Sequence, residues 1–378
     1  MWRFFIGLIL AVGIVSCAGT KLTQSEEGNA RNIVGYIFAR DTLLNGNDIN
    51  VKDMTEINYA FANIVDGKIS QGFKYDTENF KILNQTRTEN PDLKILISVG
   101  GWEWSGGFSD MSLTKASRKK FIRSAIAFVE ENNLDGIDID WEYPNQIGNG
   151  NTYRPEDKED FTSLLRELRS ALHELGTKTG KHYLISIAAG ASKKYLANTE
   201  MSKVQKYVDY INLMTYDFYV PGADSISGFN APLFTNPRDP HHGSDDAIVQ
   251  DFIADGVSPQ KLVLGVPFYG HVFQVDSTSY NGRYEPAGIP STRIRGTFAN
   301  LVQHYINKNG FVRYWDSTSC VPYLFNPVSR IFITYEDQES LRDKCDFIKA
   351  RGLKGVMFWE YNADYKGKLL QTLYDGLR

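Results

Sequence analysis

The chain has 378 residues, with 41 Lys and Arg against 45 Asp and Glu, 42% hydrophobic residues and 23% charged ones. That balance belongs to a globular protein and excludes a disordered or collagen-like chain. The net charge of −4 offers no basic surplus, so nucleic acid is not an expected partner. Aromatics reach 13%, which suits a protein that stacks on flat ligand faces and equally suits one with a large core.

The chain opens Met1-Trp2-Arg3, and Phe4 to Val15 is apolar apart from Gly7 and Gly13. This stretch is too short for the ~20 helical residues of a bilayer span, and after a charged start it reads as an export signal over residues 1–16. It ends Ile14-Val15-Ser16-Cys17, which resembles the lipobox of bacterial lipoproteins, where the Cys becomes the lipidated first residue. The resemblance implies lipidation at Cys17 and an exported protein held on a membrane surface, periplasmic or at the cell exterior. The alternative is an ordinary cleaved signal in which Cys17 has no role. Residues 17–30 are small and polar and read as a tether.

From residue 31 onward, short apolar runs alternate with amphipathic stretches. Strands are predicted at 33–39, 56–64, 94–99, 136–141, 183–188, 210–214, 262–268 and 355–359. Between them lie helical patterns. Residues 117–132 put Phe121, Ala125, Phe128 and Val129 on one face, and 156–175 do the same with Phe161, Leu164, Leu165, Leu168, Leu172 and Leu175. A third, 338–350, aligns Leu341, Cys345 and Ile348. Eight strands alternating with helices predict an α/β fold over 31–378, closed as a (β/α)8 TIM barrel. Residues 271–335, rich in Tyr, Phe, Gly and Pro, are too many for a structureless loop. They predict a small α+β insertion on the catalytic rim, between the seventh strand and the last barrel helix. Cys320 and Cys345 allow one disulfide without requiring it.

The fourth strand carries the densest chemistry, Asp135-Gly136-Ile137-Asp138-Ile139-Asp140-Trp141-Glu142. Side chains alternate along a strand, so Asp138, Asp140 and Glu142 share one face while Ile137, Ile139 and Trp141 share the other. The acidic face points into the barrel and rises toward its C-terminal mouth. Carboxyls roughly 6–7 Å apart in so narrow a space cannot all ionise cheaply. Protons are retained, and the outermost group, Glu142, is placed to protonate a leaving group. A divalent-cation site or a solvated acidic loop are the other readings of the spacing; strict alternation with Ile and Trp argues against the loop, and no His accompanies the cluster.

These residues resemble family-18 glycoside hydrolases, the chitinase and endo-β-N-acetylglucosaminidase group. The family signature D-x-x-D-x-D-x-E matches Asp135, Asp138, Asp140 and Glu142. S-x-G-G matches Ser98-Val99-Gly100-Gly101, and M-T-Y-D matches Met214-Thr215-Tyr216-Asp217. The last strand carries the family's Trp at Trp359, and the insertion resembles that of the chitinase branch. The resemblance implies substrate-assisted retaining hydrolysis of a β-1,4-linked N-acetylglucosamine chain, with no cofactor and no metal, the sugar's 2-acetamido oxygen taking the place of a second carboxylate. It implies Glu142 as acid and base, Asp140 as the partner of the sugar's acetamide, Asp138 as the group that shares a proton with Asp140, and Tyr216 as donor to the acetamide oxygen. It further implies that Trp359 floors the site, Met214, Tyr36 and Phe61 line it, Asp217 contacts the sugar or supports Glu142, and Trp102 and Tyr269 touch neighbouring sugar. Asp217 lies on the outward parity of its strand, so its role requires that it lie at the strand's end. Asp135 is read as structural, Ser98 as a support of the carboxylates, and Gly100 and Gly101 as points of close backbone approach. A monomer acting on chitin or chitooligosaccharides is expected; an endoglycosidase on N-glycan cores and an inactive chitin-binding lectin are the alternatives.

Overall fold

The computed structural model describes residues 31–378; the predicted signal over 1–16, the tether over 17–30 and Cys17 lie outside the described residues. Eight runs rich in Val, Ile, Leu and Ala, buried almost throughout, form parallel strands, as such runs do when helices cover one face and a packed interior the other. The barrel strands are β1 (Asn32–Phe38), β2 (Glu56–Val65), β4 (Lys94–Gly100), β5 (Gly136–Asp140), β6 (Leu184–Gly190), β7 (Tyr210–Met214), β8 (Leu262–Pro267) and β14 (Gly355–Trp359). Outside the barrel lie β3 (Lys68–Ser70), β9 (His271–Val275), β10 (Ala287–Gly288), β11 (Val312–Asp316), β12 (Val321–Asn326) and β13 (Ile331–Thr334). Pairing runs β1-β14-β8-β7-β6-β5-β4-β2, and β2 pairs back to β1, so the sheet closes. The short β3, which the periodicity did not announce, folds back antiparallel on β2.

The three predicted helices form with their ends fixed by local chemistry. Lys115–Glu131 starts at a capping box between Thr114 and Ser117. Asp157–Thr179 stops at Gly180, whose left-handed conformation ends the helix, and it buries the leucine stripe from Phe161 to Leu175. Gln338–Arg351 starts at a capping box on Asp337 and buries Leu341, Cys345 and Ile348.

Between β8 and that last helix the chain forms a five-stranded antiparallel sheet in the order β10-β9-β13-β12-β11, with the helix Phe298–His304 beside it. The sheet has its own core of Phe273, Val275, Tyr323, Phe325 and Phe332, joined by Tyr219 and Phe229 from the segment after β7. Cys320 sits in the turn before β12 and Cys345 is buried on the helix Gln338–Arg351; both are free thiols, so the disulfide that the sequence allowed is not formed.

Where the insertion rejoins the barrel, a charged cluster is fully buried. The Lys344 ammonium lies 2.9 Å from Asp245 and 2.8 Å from Glu336, and also donates to the Ala231 carbonyl at 2.8 Å. Asp245 opens the helix Asp245–Ala254 and Glu336 follows β13, so one ammonium ties together barrel helix, insertion and the segment after β7.

Candidate active site

Register places the acidic residues. Asp138 on β5 pairs with Ser98 on β4 and Ser186 on β6, forming one row across three adjacent strands inside the barrel. Ser98 and Tyr36 each donate to Asp138 Oδ2 at 2.7 Å, and Ser186 donates to Oδ1 at 2.7 Å. Asn212 on β7 reaches Oδ1 at 3.5 Å. Burial raises the Asp138 pKa and these donors oppose the rise.

One row higher, Gly100 pairs with Asp140. Gly100 has φ 107°, and a Cβ there would come within 2.3 Å of the Asp140 carbonyl oxygen, so the close approach demands glycine. Gly101 donates to that same carbonyl at 2.8 Å. Asp140 is buried and its Oδ1 has no hydrogen-bond partner. Burial first, then the charges of Glu142 and Asp138, push its pKa well up. The expected proton-sharing contact with Asp138 is not made: both Asp138 oxygens are taken by hydroxyl and amide donors.

Glu142 lies just past the end of β5, its backbone N–H donating to Ser105 at 2.9 Å. Its carboxyl is pushed up to about 7, mainly by burial; a Tyr143 hydrogen bond opposes the shift and the Asp217 charge adds to it. On the outer face Trp141 stacks on Phe108 at 5.1 Å and meets Phe161 edge-on at 5.8 Å, as alternation requires. Asp135 bonds Arg87 and the Ile95 N–H, a structural tie at the base of β5.

β7 ends at Met214, so Tyr216 and Asp217 escape the strand's alternation and both face a cleft of about 680 Å³ at the barrel mouth. Asp217 has φ 59°, and its Oδ1 accepts from Tyr269 at 2.6 Å and His271 at 2.7 Å. Trp359 lines the cleft, stacked on Phe61 at 5.5 Å. Met214, Tyr269 and Trp102 line it, Trp102 being 49% exposed at the edge. Tyr36 does not line it. It sits one layer lower on β1 than Phe38, is buried, and spends its hydroxyl on Asp138.

A family model for glycosyl hydrolases family 18 matches residues 32–364. The chain belongs to that family. Among curated relatives of this family 18 glycosidase, it is 39% identical to chitinase A1 of Niallia circulans, over 98% of this chain and 62% of that one, so it spans less than two thirds of that relative's length. It is 32% identical to chitinase 1 of Aphanocladium album, over 97% of this chain and 89% of that one. Among solved structures, a family 18 N-acetylglucosaminidase from Paenibacillus barengoltzii is 41% identical, with a TM-score of 0.84 over 92% of this chain and all of that one.

The sequence reading missed several groups in and around the cleft. Ser186 and Asn212 lie on the inward parity of β6 and β7, so alternation alone would have found them. Phe38 shares the parity of Val34 and Tyr36. Trp104 packs on Phe73 with tilted rings 4.8 Å apart and lines the cleft with it. Tyr143 comes from the loop after β5, Tyr195 from the short helix Lys193–Ala197 and His271 from the insertion, so no barrel-strand pattern announces them.

Proposed function

We propose that this family 18 glycosidase hydrolyses β-1,4 bonds of N-acetylglucosamine polymers, chitin foremost, by a substrate-assisted retaining mechanism. What carries the reading is one arrangement: Glu142, protonated up to about pH 7, beside Asp140 with a buried, unpartnered carboxylate oxygen. Asp138, the only other carboxyl in the row, has both oxygens engaged by neutral donors and sits below the cleft, out of reach for nucleophilic attack. The nucleophile is then the substrate's own 2-acetamido oxygen.

In the first step that oxygen bonds to the anomeric carbon while Glu142 gives its proton to the glycosidic oxygen, whose bond to the same carbon breaks. A cyclic oxazolinium ion results. Asp140 accepts from the acetamide N–H and offsets the positive charge, in a site where burial strengthens the interaction. Asp138, held by its donors, adds its negative charge below Asp140. Tyr216 donates to the acetamide oxygen and aims it, and Trp359 stacks beneath the ring. In the second step water attacks the anomeric carbon, Glu142 takes the water proton, and the acetamide is restored with the original anomeric configuration.

Turnover of chromogenic disaccharides tests this. A chitobioside should release its chromophore and a cellobioside, which has no acetamide, should not; binding of both without release would replace hydrolysis by a lectin role. We extend the proposal to export with a lipid anchor at Cys17: fatty-acid labelling of the full chain should be lost in Cys17→Ser, and labelling that persists would reject the anchor.

A further inference from the structure

We propose that His271, on the first strand of the antiparallel insertion, is a positioning residue that fixes the Asp217 carboxylate against the acid Glu142. The inference rests on the glycosidase reading above and goes beyond it, because it assigns the insertion a part in the chemistry.

Asp217 stands on a loop past the end of β7 with its side chain 45% exposed in the cleft, where a carboxylate is free to turn. Two donors remove that freedom. Tyr269 Oη at 2.6 Å and His271 Nε2 at 2.7 Å both reach Oδ1, which holds that oxygen from two directions. A carboxylate acceptor fixes the histidine tautomer, with the proton on Nε2. The imidazole is itself held, meeting Tyr269 edge-on at 5.6 Å and being only 18% exposed.

The same two insertion strands also fix the backbone of Asp217. Its N–H donates to Asn230 Oδ1 at 2.8 Å, and the Asn230 N–H donates to Thr334 Oγ1 at 2.8 Å. Thr334 on β13 is the register partner of His271 on β9. Side chain and main chain of Asp217 are thus clamped from one pair of strands that begins right after the barrel's β8. Asp217 and Glu142 line the same cleft, so the negative charge of Asp217 helps hold the acid's proton. An unclamped Asp217 that turns away from Glu142 weakens the acid without touching the sugar floor.

The test compares His271→Leu, which removes the donor, with His271→Gln, whose amide N–H reaches the place of Nε2. With Tyr269 still in place, His271→Leu should lower kcat on the chitobioside about ten-fold, the low end of the loss for a hydrogen bond to a charged group, with KM changed less than about three-fold. His271→Gln should recover kcat to within about three-fold of the unaltered chain, and a crystal structure of His271→Leu should show Asp217 rotated off its present plane. The inference is overturned if His271→Leu keeps kcat within about two-fold, if His271→Gln is as slow as His271→Leu, or if Asp217 does not move. The crystallographic arm needs no turnover. An unaltered chain that fails to cleave the chitobioside would sink the glycosidase reading, and the orientation of Asp217 would still decide the clamp.

Discussion

Glu142→Gln should lower kcat by about 10²–10⁴-fold, the scale on which a general acid is lost, with little change in substrate affinity. The amide has the size of the carboxyl and the backbone tie of residue 142 to Ser105 does not involve the side chain, so the local fold survives. What goes is the proton for the glycosidic oxygen and the acceptor for the water proton. The parent profile carries a linked signature. Burial, first of all, pushes the Glu142 carboxyl up to about 7. The acid is protonated below that pH and empty above it, so kcat/KM should fall as pH climbs through about 7, and the residual rate of the Gln variant should lose that limb. A variant within about ten-fold of the parent would remove Glu142 from the acid role.

Lys344→Met should cost about 3–5 kcal/mol of folding free energy, because it strips the cation from a fully buried trio and leaves two carboxyls behind. Burial already pushes the Asp245 carboxyl up to about 8 against the opposing pull of Lys344, and loss of the ammonium lets it rise further. A protonated carboxyl limits the loss without abolishing it, since a neutral buried carboxyl still needs hydrogen-bond partners. Urea unfolding of the parent and the variant measures the difference. A loss below about 1 kcal/mol would mean that the trio contributes little beyond what packing supplies.

The barrel was legible in the sequence because a parallel strand buried on both faces writes itself as a continuous apolar run. The eight predicted runs correspond to β1, β2, β4, β5, β6, β7, β8 and β14 with ends shifted by at most two residues. The carboxylate row was legible for a different reason: period-two alternation in Asp138-Ile139-Asp140-Trp141-Glu142 states which side chains share a face. The same rule fails once a strand ends. Tyr216 and Asp217 have opposite parity yet both reach the cleft, because Met214 is the last residue of β7 and the chain turns at once. Tyr36 was misplaced by one layer, since parity gives the face of a strand and not the height along the barrel axis. The His271 contact was illegible: it joins residues 54 apart in sequence through the pairing of β9 with β13, which no local pattern records.

The central claim is that the substrate's own acetamide is the nucleophile. Sequencing the new reducing ends released from a partly deacetylated chitosan tests it most directly, because the sugar whose anomeric carbon reacts becomes the new end. The account predicts that this sugar is always N-acetylated, whatever the average composition of the polymer. New ends that carry free glucosamine in proportion to the polymer would contradict it, and would require a protein nucleophile in a row where Asp138 is fully engaged.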